Sequence, residues 1–166
     1  DKVNVKVKHL CEGNHDAWLD GFVQEYPYLS HYEFSTACNF SKRGYKYHPA
    51  GEYLKVGKLY YYHGHHFGGQ YHTANHLRKL GCNIMYGHWH SMQQDSVTHM
   101  DGPKSAWSIG CLKDMRGEKN EWLGGRQHKW AHGFAIVDYY SKGRFTVHPI
   151  QIVDGRASVW GEEIKG

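Results

Sequence analysis

No stretch of this chain approaches the roughly 20 consecutive apolar residues that a membrane-crossing helix needs, and no signal-peptide pattern opens it. Those two absences argue against a membrane-embedded or secreted protein and predict a cytoplasmic one with no membrane partner. C-x-x-C is missing as well. Cys11, Cys38, Cys82 and Cys111 are scattered, which disfavours a zinc ribbon, a thiol redox motif or a disulfide framework and reads as four reduced thiols. There is no dense Lys/Arg block either. Twenty basic against 16 acidic residues leave a formal charge of +4, a weakly basic soluble domain rather than a nucleic-acid footprint. No internal repeat, low-complexity tract or linker interrupts residues 1–166, so the chain reads as one domain, long enough to bury a sizeable core.

Histidine is the abundant residue, with 15 copies. Their number proves little, but several sit where strands are expected to end. Val3, Val5 and Val7 alternate with polar residues and lead through Leu10 and Cys11 into Gly13-Asn14-His15-Asp16, a strand entering a turn. Asp16 then reads as the N-cap of a helix that ends before Pro27. Residues 28–50 read as a long loop with one strand near 32–34. Two strands around Gly57 follow, the second delivering His63 and Gly64. A helix over 73–80 stops at Gly81, and a short strand over 82–86 runs into Gly87-His88-Trp89-His90. Beyond His90, strand-like segments at 96–99, 106–112, 133–140 and 145–153 are separated by turn residues, the pattern of an antiparallel run. Helix–strand alternation followed by strands predicts an α/β layered fold.

Imidazole and amide oxygen donors at successive strand ends suit a divalent metal that acts on a phosphate. In this order Gly-Asn-His-Asp, His-Gly and Gly-His-x-His resemble the last three of the five signature blocks of the calcineurin-like metallophosphoesterase superfamily. The tail, from Trp130-Ala131-His132-Gly133-Phe134 through Phe145-Thr146-Val147-His148-Pro149 to Asp154-Gly155, looks like the closing strands of its phage and bacterial members. The resemblance implies a two-sheet β-sandwich flanked by helices, with a pair of metal ions at its carboxyl edge. It assigns Asn14, His63 and His88 to the second metal and His90 to the first. It makes His15 the histidine that assists the leaving oxygen, and Asp16 the carboxylate that orients it. The reaction implied is hydrolysis of a phosphodiester or phosphomonoester by metal-bound hydroxide, with a nucleotide or nucleic-acid phosphate slightly favoured. Manganese, iron, zinc, cobalt and nickel all suit such donors.

The family's Asp-x-His and Gly-Asp-x-x-Asp blocks do not occur ahead of Gly13. The expectation is therefore an amino-terminally truncated site that binds at most one metal and is weakly active or inactive alone. Self-association, or a partner chain supplying the lost segment, would complete it. The competing reading is a non-catalytic metal-binding or assembly remnant of the fold. A zinc-dependent HNH-type nuclease has little beyond the spacing of His72 and His76 to stand on, and those two read as a solvated helix face. His65 is a further candidate for lining the site, His66 reads as ordinary, and Trp89 should point away from the flanking histidines.

Overall fold

A computed structural model of the chain describes residues 5–113, 121, 124 and 129–166. The first strand, β1 (Lys8–Cys11), runs parallel to β2 (Tyr45–His48), with Lys8 opposite Tyr45 and Cys11 opposite His48. Val5 and Val7 lie outside this strand and are exposed. An apolar alternation becomes a strand only where a neighbour supplies the ladder, and here pairing begins at Lys8.

Helix α1 (Asn14–Glu25) begins three residues before the expected start. Gly13 caps it in an extended conformation, and the Asp16 carboxylate reaches back to accept the Gly13 N–H at 3.2 Å. It stops short of Pro27, whose ring is incompatible with a continuing helix. Val23 points inward, whereas Trp18, Leu19 and Phe22 stay exposed. The strand expected near 32–34 is absent. A 3-10 turn (Pro27–Tyr32) and the short helix α2 (Phe34–Ala37) occupy that region, because the Asp20 carboxylate accepts the Phe34 N–H at 2.6 Å and starts a helical turn there.

A five-stranded mixed sheet forms the centre. It contains β3 (Leu54–Val56), β4 (Leu59–Tyr61), β5 (Ile84–Tyr86), β6 (Met92–His99) and β7 (Gly102–Ile109), in the order β3-β4-β5-β7-β6. Strands β4, β5 and β7 are parallel, while β3 and β6 are antiparallel edges. The crossover from β4 to β5 carries α3 (His72–Leu80). That helix ends at Gly81, which takes the left-handed conformation (φ 61°) and bonds its amide to Leu77 O at 2.9 Å.

β8 (Gly133–Tyr139) and β9 (Phe145–Gln151) pair antiparallel. A terminal hairpin, β10 (Arg156–Val159) with β11 (Glu162–Lys165), was not expected from the sequence. Its strands have four residues each and are largely exposed, too short for their pattern to declare them.

The central sheet is covered on both faces. On one, Leu77 of α3 meets Tyr62, Ile84, Tyr86 and Ala106, with Leu80 and Trp89 packed around them. On the other, Leu59, Met85 and Trp107 pack against Ala135, Val137, Phe145 and Val147 of the β8–β9 pair. Leu59 and Ile84 are fully buried, each worth about 1.5–3 kcal/mol of transfer free energy. The molecule is a mixed α/β protein with one five-stranded sheet, small two-stranded sheets and few helices. No helix among the described residues is long and apolar enough to cross a membrane.

Candidate metal centre

Strands β4 and β5 are parallel neighbours, Tyr61 standing opposite Met85, and β5 runs one residue further to Tyr86. Two residues beyond β4 comes His63, and two beyond β5 comes His88. The backbone ties them together, since the amides of Gly87 and His88 both bond the His63 carbonyl, at 3.3 and 2.9 Å. Residues 87–90 then close a tight turn through a 3.1 Å bond from the His90 amide to Gly87 O, leaving His90 itself at φ 54°. This turn, not strand alternation, decides where Trp89 goes. Its indole packs onto the core, donates to Gly64 O at 3.2 Å and meets the His88 ring edge-on. Gly64 is required beneath it: φ is +108°, and a Cβ would fall 2.5 Å from the Tyr86 ring.

Asn14, at the first turn of α1, reaches the same point. His63 Nε2 lies 3.0 Å from Asn14 Oδ1 and 2.9 Å from His88 Nδ1. Gly13 permits this approach, since a Cβ there would come 3.3 Å from His63 Cε1 and 2.8 Å from the Asp16 carboxylate. The three side chains expected to share one metal are therefore brought together. An imidazole nitrogen is either a donor or an acceptor, yet His63 Nε2 faces an amide oxygen and a second ring nitrogen at once. Converging lone pairs with too few protons between them suit a divalent cation, so the donor set fits the metal that the sequence implies. Among the described residues, no group of three or more His, Cys, Asp or Glu is arranged to hold a metal. The cluster here is two imidazoles and one amide oxygen.

Burial is the main reason that His63 and His88 are each held at a pKa of about 4, well below the usual 6.5. For His63 the neighbouring His88 adds most to this effect, and for His88 it is His65. Both rings are neutral near pH 7, the form in which imidazole can ligate.

His15 is exposed, packs against the Trp18 ring at 4.5 Å, and lies near enough to help lower His63, His88 and His90. Asp16 sits beside it in sequence, but its carboxylate is engaged with the Gly13 amide, so the bond expected to orient His15 is not among those formed. The His90 side chain makes no hydrogen bond to Asn14, His63 or His88, although it lies near enough to help lower His63 and His88. Its ring meets Trp130 edge-on at 4.7 Å, its carbonyl accepts the Ala131 N–H at 2.6 Å, and its pKa is lowered by burial and then by Lys113. Sequence reasoning passed over Trp130 and Lys113 as neighbours of His90, and no local signal ties them to it. A cleft of about 1110 Å³, lined by Leu112, Trp130, Phe134, Ile152 and Ile164, adjoins this corner and includes none of the six candidate residues.

The His65 ring lies 5.8 Å from His63 and 6.2 Å from His88, and its Nδ1 is buried without a hydrogen-bond partner. The expectation of a solvated His72–His76 face is overturned. The rings are 3% and 0% exposed, because partners on the sheet satisfy their nitrogens. Comparison with known proteins returned no match to a family model, a curated protein or a solved structure.

Proposed function

We propose that this chain carries the half-site of a metal-dependent phosphoesterase, with one divalent ion held by Asn14, His63 and His88. The observation that carries the reading is the meeting of Asn14 Oδ1, His63 Nε2 and His88 Nδ1 from three separate parts of the chain. On this reading, the central sheet and the β8–β9 pair are the two layers of a metallophosphoesterase sandwich. A divalent ion at these donors supplies Lewis-acid charge beside a phosphoryl group. The chain's own residues do the rest. His63 and His88 stay unprotonated near neutral pH and present lone pairs. The two amides bonded to the His63 carbonyl tie the two strand ends together. His15, exposed at the rim, gives a proton to the departing oxygen. Manganese, iron, zinc, cobalt and nickel are the candidate metals, and a nucleotide or nucleic-acid phosphate is the favoured substrate class.

A non-catalytic metal-binding module is the second reading. It is favoured by the lack, among the described residues, of any group of three or more His, Cys, Asp or Glu arranged to hold a metal. Titration with Mn²⁺ alongside hydrolysis of bis(p-nitrophenyl) phosphate distinguishes the two. Saturable binding with Mn²⁺-dependent turnover supports the enzyme, and binding without turnover supports the module. Absence of binding at any Mn²⁺ concentration compatible with the folded protein would sink both.

A further inference from the structure

We propose that His72 and His76 are positioning residues, two neutral imidazoles on α3 whose hydrogen bonds hold in register the strand ends that carry His63, His88 and His90. The inference rests on the reading of those residues as a metal site, and it concerns groups that the site itself does not contain.

The bonding of His76 is determined by its neighbours. Its Nδ1 lies 2.7 Å from the carbonyl oxygen of His72, which can only accept, so Nδ1 bears the proton and Nε2 the lone pair. The Tyr62 hydroxyl, directly against Nε2, therefore donates to it. His72 bonds through both nitrogens, with Nδ1 2.7 Å from the Tyr86 hydroxyl and Nε2 2.8 Å from Ser91 Oγ. Stacking adds to these bonds. The His76 ring lies on Tyr86 with centroids 4.0 Å apart, and the His72 ring lies on Trp89 at 5.4 Å.

Each of these contacts is next to a candidate ligand. Tyr62 immediately precedes His63, Tyr86 comes two residues before His88, and Trp89 and Ser91 flank His90. One helix thus grips the end of β4, the end of β5 and the turn that follows. Leu77, on the same helix, shows what ordinary apolar burial against the sheet looks like. Burying imidazole costs desolvation that leucine would not incur. What two histidines add is direction, because a hydrogen bond fixes an angle and apolar contact does not.

The test compares the wild-type protein with His76→Leu, His76→Gln and the milder Tyr62→Phe. Two quantities are read: the imidazole nitrogen resonances of His63 and His88 in metal-free protein, and the affinity for Co²⁺ followed by its visible absorption. His76→Leu and Tyr62→Phe are expected to shift both sets of resonances and to weaken Co²⁺ binding about tenfold, the scale of losing an outer-shell partner. His76→Gln, whose amide oxygen can accept the Tyr62 proton, should stay near wild type. The proposal is overturned if Tyr62→Phe leaves the resonances in place, or if Gln shifts them as far as Leu does. Resonances that respond as expected in a protein that takes up no Co²⁺ would leave the positioning role standing and remove the metal reading instead.

Discussion

Asn14 and His63 stand 49 positions apart in the chain and meet at 3.0 Å, an amide from the first turn of a helix against an imidazole from the end of a strand. Neither belongs to the buried apolar clusters. Truncating either should therefore strike the site before it strikes the fold.

His88→Ala is expected to lower Mn²⁺ affinity by about tenfold or more, whereas His15→Ala should keep the metal and reduce turnover by about a hundredfold. Metal analysis and steady-state assays on the two variants make the comparison. Loss of metal from a folded His15→Ala protein would show that the roles have been assigned wrongly.

Stability should fall on acidification. His63, His88 and His72 each titrate near 4 in the fold, burial being the first cause, against the usual 6.5 when unfolded. Above about pH 6.5 both states are neutral and the full stability is present. As pH drops from there toward 4 the unfolded chain takes up protons that the fold refuses, so stability declines across that window. The urea midpoint of metal-free protein should be lower at pH 5 than at pH 7, and equal midpoints would contradict the burial of these rings.

Gly64→Ala should destabilise by about 2–4 kcal/mol, combining strain at φ +108° with a methyl group forced into the Tyr86 ring. A urea titration read by tyrosine and tryptophan fluorescence measures it. A loss under half a kcal/mol would mean that the backbone at this position relaxes freely.

Leu59→Ala removes a fully buried side chain from beneath the β8–β9 pair. A cost of about 2–5 kcal/mol is expected, with Mn²⁺ affinity unchanged in the protein that remains folded. A substantial fall in affinity would tie the far face of the sheet to the site.

The strand-end motifs were legible in sequence because each is local. A short apolar run, a glycine and a polar donor are adjacent, and the helix over 73–80 declared its end through Gly81. The gathering of Asn14, His63 and His88 was an expectation drawn from the resemblance that those motifs carry. The surroundings were not legible. A spacing of four placed His72 and His76 on one helix face, but whether that face meets water or protein depends on Tyr62, Tyr86 and Ser91, which lie 14 to 19 positions away. Phe34 was read as strand from its aromatic neighbours, and the Asp20 carboxylate, 14 positions upstream, made it the start of a helix. Val5 and Val7 had the right alternation and no ladder to join. Asp16 was assigned to orient His15 by the family resemblance, and the Gly13 amide took its carboxylate instead.

The parallel pairing of β4 with β5 acts as a ruler. Hydrogen-bonded strands stand about 4.8 Å apart whatever their sequence, and the His63 and His88 rings, carried just past the two strand ends, have centroids 4.8 Å apart. The strand spacing belongs to the peptide backbone, and the side-chain torsions then decide where the two rings meet. On the proposed metal reading, a change of metal preference would come through the length and donor type of the side chains standing on the ruler, with each substitution at one strand end matched by the reach of its neighbour at the other.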